Sequence, residues 1–276
     1  MSSHAHHEGQ GHHHHHHHGH DTSDHSAAIP QNVQGDLAAY NKAHFDAHAH
    51  SYDNTPHIVE TNKKWVVPPR TPIQHSDNFG IHIRRIGKAI SETIPLSKDS
   101  TTVLEYACGT GLVSSELVPY SKSIVGVDIS EGMIQQFRNR FEKQGLSSDQ
   151  VKGICQELKG EEGELDGAKF DVVVCSMAYH HFDAQNLQNT TNVLASFLKP
   201  AGHLAIIDNE PDPEGQDIYK GVDKNRLGHS TGFSRSHMEE LFSGAGLSTR
   251  SYEHVTSFLH REATHGVFLA VAQKAQ

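Results

Sequence analysis

Residues able to do chemistry concentrate in one stretch, Val103-Leu-Glu105-Tyr-Ala107-Cys-Gly109-Thr-Gly111-Leu. A carboxylate stands near the end of an apolar run, a tiny residue follows, and two glycines allow backbone to approach a ligand at the start of the next helix. A dinucleotide fingerprint would read GxGxxG, but Ala107 displaces the first glycine and Ser114 stands at the third position. The Gly-Lys-Ser/Thr of a phosphate-binding loop is missing as well. A turn without those features, preceded by Glu105, suits a ligand carrying positive charge better than a pyrophosphate. A second carboxylate, Asp128, ends the run Ser123-Ile-Val-Gly-Val-Asp128, 17 residues after Gly111 and thus one helix and one strand further on. Imidazoles that could act as bases occur at His180 and His181, and again at His229 in Leu227-Gly-His229-Ser-Thr-Gly-Phe233.

Positioning these groups requires alternating strands and helices. Strands are expected at 102–106, 123–128, 151–155, 170–175, 203–208, 249–255 and 267–272, with Lys199-Pro200-Ala-Gly202 as a loop before the fifth. Helices are expected after Gly111, at 131–144, 184–198 and 235–242. Such alternation predicts an α/β fold: a Rossmann-like, mostly parallel seven-stranded sheet with helices on both faces. Before it, helical spacing from Leu37 and from Phe79 through Ile83, Ile86 and Ile90 predicts an N-terminal helical cap over 36–95, interrupted by Pro56, Pro68, Pro69 and Pro72. Residues 96–276 form the catalytic domain in this reading.

Residues 1–35 hold 12 of the 26 histidines and almost nothing apolar, so a disordered His-rich tail is expected. The tail accounts for much of the low apolar share, 35%, of the 276 residues. A net charge of −10 lacks the basic footprint of a nucleic-acid binder, and no apolar run suggests a membrane span. Cys108, Cys155 and Cys175 share no metal-site spacing. They read as buried thiols of a reducing compartment, cytoplasmic or nuclear.

Taken together, the motifs resemble the class I S-adenosylmethionine-dependent methyltransferases, in particular their ubiquinone-biosynthesis-type subgroup, over roughly residues 36–276. Glu105 to Gly111 is similar to the family's E/DxGxGxG motif, with Ala107 at the first glycine. Val127-Asp128-Ile129-Ser130 is similar to its second motif. The resemblance implies S-adenosylmethionine as cofactor, with Asp128 on the ribose hydroxyls and Ile129 and Met133 beside the adenosine. It implies an adenine contact from Glu157, or from Gln156 one residue earlier, and assigns Ser176 at the end of the fourth strand to the same site. Phe45-Asp46-Ala-His-Ala-His-Ser-Tyr52-Asp53 resembles the element whose aromatic, here Tyr52, covers the methionine end of the cofactor. Tyr179-His180-His181-Phe182 resembles the segment ending strand four.

Methyl transfer to oxygen or sulfur gains from a base, so His180, His181 and His229 are the catalytic candidates. Asp208-Asn209 resembles part of the metal site of catechol-type enzymes, yet the partner carboxylate after strand four is replaced by Cys175-Ser176-Met177. No metal is therefore expected. Two functions follow: a methyltransferase for a small-molecule acceptor, or a regulatory methyltransferase-like protein that methylates or docks to a protein partner. For the latter, Trp65-Val-Val-Pro-Pro69 and the His-rich tail are the suggestive segments.

Overall fold

The computed structural model describes residues 36–53, 78–220, 222–260 and 263–276. The His-rich tail and the Trp65–Pro69 segment lie outside the described residues.

Seven strands form one sheet: β1 (Thr102–Tyr106), β2 (Ser123–Asp128), β3 (Val151–Cys155), β4 (Phe170–Ser176), β5 (Leu198–Asn209), β6 (Ser248–His260) and β7 (Ala263–Gln273). Their order is β3-β2-β1-β4-β5-β7-β6. The first five strands are parallel to one another. The sheet as a whole is mixed, because β7 runs antiparallel to both β5 and β6. The cause is local: β6 and β7 are separated by only two residues, with His260 paired to Ala263, too short a connection for a parallel crossover, and β7 lies beside β5.

Inner strands of a parallel sheet are covered on both faces, so they read as continuous apolar runs rather than alternating ones. Two hydrophobic cores result. On one face α2 (Asn78–Thr93), α3 (Leu112–Leu117) and α4 (Glu131–Lys143) pack Ile86, Ile90, Leu117, Ile134, Phe137 and Phe141 on the sheet. On the other, α5 (Leu187–Ser196) and α6 (Arg235–Gly244) contribute Leu187, Leu194, Met238, Leu241 and Phe242. The helix starts are written in sequence. Ser130 caps α4 by accepting from the Met133 N–H at 3.1 Å, and Ser234 caps α6 by accepting from His237 N–H at 3.2 Å.

Two elements differ from the sequence-based expectation. Lys199-Pro200-Ala201-Gly202 is not a loop before β5 but a bulge within it. Pairing begins at Phe170–Leu198 and resumes at Val172–His203. Pro200 has no N–H to give to a ladder, and Ala201 adopts a left-handed φ of +63°, so the chain loops out and rejoins. The β6–β7 ribbon is also longer than its apolar alternation indicates. Polar pairs such as Ser257–Gly266 extend it, and α2 packs against it through His82 Nδ1, 2.7 Å from Thr256 Oγ1.

The helix α1 (Leu37–Tyr52) joins neither core. It docks across the C-terminal ends of the strands, where Gly132 of α4 allows close approach; a Cβ there would lie 3.0 Å from that of Ala49. Strand order reverses between β1 and β4, and the crevice outside their carboxyl ends is where open α/β sheets bind ligands. Helix α1 closes that crevice.

Candidate functional site

The turn from β1 into α3 is built from left-handed residues. Ala107, Gly109 and Gly111 have φ of +55°, +53° and +84°. Ala107 thus takes the conformation of the glycine it replaces, at a cost of roughly 1–2 kcal/mol. The two glycines do different work. A Cβ on Gly109 would meet nothing within 4 Å, whereas one on Gly111 would lie 2.7 Å from the rings of both Phe137 and Phe141. Gly109 leaves open space for a ligand, and Gly111 makes room for the α4 core.

Asp128 holds this turn. Its Oδ2 accepts from the Gly109 N–H at 2.9 Å and its Oδ1 from the Ser130 N–H at 2.9 Å, so one carboxylate staples the ends of β1 and β2. Burial pushes its carboxyl above the usual carboxylate range, with those N–H groups opposing the shift. Glu105 is buried too, and burial raises its carboxyl to about 7 against the hydrogen bond from the Ser114 hydroxyl. No lysine or arginine within ion-pair distance neutralises either carboxylate among the described residues.

Two contacts of α1 fasten it over the turn. Asp46 Oδ1 accepts from Ser130 Oγ at 2.6 Å and from the Gly132 N–H at 3.0 Å. Asp53 accepts from Thr110 Oγ1 at 2.7 Å and forms an ion pair with Arg140, whose Nε donates to the Thr110 carbonyl at 2.7 Å. Tyr52 is held between these anchors. Sequence reasoning missed Thr110 and Arg140, because the Asp53–Arg140 pair spans 87 residues and carries no local signature.

A cavity of about 810 Å³ lies beneath α1. Tyr52, Glu105, Ala107, Gly109, Asp128 and Ile129 line it, as do Met133, Glu157, Ser176 and His181. Glu157, rather than its neighbour Gln156, reaches the cavity; the Gln156 N–H instead donates to the Asp128 carbonyl at 3.0 Å. Gly111 likewise stands back from it, for the packing reason above.

The three histidines separate. His180 does not line the cavity: its Nδ1 donates to Asp208 Oδ1 at 2.9 Å and its ring stacks on Tyr219, with centroids 4.7 Å apart. His229 does not line it either, stacking on Phe233 at 4.4 Å with Nε2 2.7 Å from the Gly232 carbonyl. Both secure the segment after β5. Only His181 lines the cavity. Its Nδ1 donates to the Arg226 carbonyl at 2.7 Å, which leaves the lone pair on Nε2. Burial, then the neighbouring His180, holds its pKa well below 6.5, so the ring is neutral at neutral pH. Asp208 is fully buried and accepts from His180 and from the Asn209 N–H, away from the cavity. Among the described residues, no three His, Cys, Asp or Glu side chains are grouped to hold a metal ion.

The cavity's chemistry fits S-adenosylmethionine. The open space at Gly109 admits a ligand against backbone, Asp128 presents a carboxylate suited to a diol, Ile129 and Met133 form an apolar wall, and the un-neutralised carboxylates favour a positive charge.

Known proteins agree. Residues 103–202 match a family described as a methyltransferase domain. An uncharacterized methyltransferase of Schizosaccharomyces pombe is 36% identical over 160 residues, 55% of each chain. A ubiquinone biosynthesis O-methyltransferase of Coxiella burnetii is 31% identical over 102 residues, 37% of this chain and 41% of that protein. The matched stretch therefore spans about half the length of these relatives or less. Among solved structures, the magnesium protoporphyrin IX methyltransferase of Synechocystis PCC 6803, with bound S-adenosylhomocysteine, superposes with a TM-score of 0.58. That match covers 84% of this chain and all of the other, at 16% identity, and so bears on the fold alone.

Two expected outcomes follow from this geometry. Gly109→Ala should fold with only the modest cost of an alanine at left-handed φ, about 1–2 kcal/mol, yet lose cofactor binding. Gly111→Ala should unfold more readily, by about 2–5 kcal/mol, as strain and ring overlap add. Urea denaturation and calorimetry on both variants check this.

The second concerns Glu105. Its folded pKa lies above its unfolded value, so the folded protein keeps a proton that the unfolded chain releases. Stability from this group therefore falls as pH rises from about 4.5 to about 7. A sulfonium ligand favours the ionised carboxyl. The ratio of S-adenosylmethionine affinities, wild type over Glu105→Gln, should thus rise between about pH 6 and about pH 8. A flat ratio by calorimetry would show that Glu105 does not sense the ligand's charge.

Proposed function

We propose that this chain, whose matched domain belongs to the class I S-adenosylmethionine-dependent methyltransferases, methylates a small molecule bound in the cavity under α1. The observation that carries the reading is continuity. One cavity of about 810 Å³ contains both the Gly109–Asp128 cradle and a second sector walled by Phe45, Tyr106, Phe182 and His181. That volume falls within the ~300–1,000 Å³ range of small-molecule sites.

When bound, S-adenosylmethionine supplies an electrophilic methyl group on a sulfonium. The protein aligns and encloses. Asp128 accepts from the ribose hydroxyls, Glu157 from the adenine amino group, and Gly109 lets the ligand rest on backbone. Tyr52, carried by α1, covers the methionine end and excludes water. His181 presents Nε2 as an acceptor to the nucleophile's O–H or S–H. With its pKa held low it orients that group and takes its proton only as the transfer proceeds. Asp208 serves structure in this reading, its two oxygens accepting from His180 and Asn209.

Incubation with methyl-labelled S-adenosylmethionine and a low-molecular-weight metabolite extract should yield a product heavier by one CH2, at a rate that EDTA leaves unchanged. Label appearing only in protein, or no transfer at all, would contradict the small-molecule reading. Inhibition by EDTA that a divalent cation reverses would show that Asp208 does serve a metal.

A further inference from the structure

The segment after β5 holds one cation, Arg226, against three residues that line the cavity, Asn41, Phe45 and His181. Asp223 caps a short 3-10 turn, Lys224–Arg226, by accepting from the Asn225 N–H at 3.0 Å. Its other oxygen takes the Tyr40 hydroxyl, which fastens the turn to α1. Two cavity-lining side chains then grip the Arg226 backbone: its carbonyl accepts from Asn41 Nδ2 at 3.1 Å and from His181 Nδ1 at 2.7 Å. The guanidinium lies over a third, Phe45, at 5.4 Å from the ring centroid. Phe45 and His181 in turn meet edge to face at 5.5 Å.

The polar groups here are incomplete. Arg226 Nε is buried without a hydrogen-bond partner. No carboxylate stands within ion-pair distance of the guanidinium among the described residues, and Asp223 is committed to Tyr40 and Asn225. Beside it Asn41, 4% exposed, uses its Nδ2 on the carbonyls of Arg226 and His181, and its Oδ1 is buried with nothing to accept. An unpaired buried Nε and an unpaired buried amide oxygen, either side of one hydrogen bond, are costly unless a ligand completes them.

We propose that Arg226 recognises a carboxylate on the methyl acceptor, while Asn41 Oδ1 accepts from a hydroxyl or N–H next to it. This rests on the methyltransferase reading and narrows it to an anionic acceptor class. The planar fork of a guanidinium matches a carboxylate with two parallel hydrogen bonds, and the Phe45 ring, 5.4 Å away, supplies a cation–π contact without using any of its N–H donors. The sector's other walls, Phe45, Tyr106 and Phe182, suit an apolar or aromatic body attached to that carboxylate. The same chemistry exists in the cofactor, whose methionine end also bears a carboxylate near Tyr52. The experiment must separate the two sources.

Wild type, Arg226→Gln and Arg226→Lys are first titrated with S-adenosylhomocysteine. Each protein, saturated with it, is then titrated with 3-phenylpropanoate against 3-phenylpropanamide, and with hexanoate against hexanamide. Wild type should bind the carboxylates about tenfold or more tighter than the amides. Arg226→Gln should lose that preference and Arg226→Lys keep part of it, with S-adenosylhomocysteine affinity unchanged in both. Because the structural bonds of residue 226 run through its carbonyl, both variants keep the contacts of Asn41 and His181. Equal binding of acid and amide by wild type, or a preference surviving in Arg226→Gln, overturns the inference. So does a tenfold loss of S-adenosylhomocysteine affinity in Arg226→Gln, which would give Arg226 to the cofactor. Failure of wild type to bind S-adenosylhomocysteine would instead overturn the methyltransferase reading, and this inference with it.

Discussion

The site depends on the buried carboxylate of Asp128. With one oxygen on the Gly109 N–H and the other on the Ser130 N–H, it joins the turn after β1 to the start of α4. One of the anchors of α1 over the cavity follows from that joint. Ser130, held by it, caps α4 with its hydroxyl and donates the same hydroxyl to Asp46, which seats α1. Desolvation works against the charge on Asp128, and the two N–H groups only partly offset it. A ligand offering hydroxyl donors would complete what the two N–H groups leave unsatisfied.

The glycines of this region divide between ligand and core. Phe137 fills space that three of them vacate, since a Cβ on Gly111, Gly126 or Gly153 would fall 2.4–2.8 Å from its ring. Sequence motifs record the glycines without saying which purpose each serves. Gly109 alone in the turn opens to empty space, while Gly111 serves the close approach of α4 to the strands.

The strands and the chemistry near them are legible in the sequence because both are local. Glu105, Gly109 and Asp128 sit at strand ends and in the following turn, where apolar periodicity alone is enough to place them. What escapes is long-range. His180 and His181 are adjacent in sequence, yet one turns to Asp208 and only the other lines the cavity. The Asp53–Arg140 pair and the grip of Asn41 and His181 on Arg226 join segments with no shared period or motif. The β5 bulge reads as a loop, since Pro200 and Gly202 signal a break without showing that pairing resumes beyond it. The reversed strand β7 is hidden for a similar reason: Val and Ile content reports burial, not direction.

A Rossmann-like sheet hosts many chemistries, so the fold alone does not supply the reaction. The proposed contact of Asp128 with the ribose would tie this fold to this cofactor, and calorimetric titration of S-adenosylhomocysteine into wild type and Asp128→Ala tests it directly. Wild type should bind, and the variant, shown folded by circular dichroism, should bind more weakly by about 1–3 kcal/mol. Equal affinities in two folded proteins would contradict the assignment of the cavity to S-adenosylmethionine.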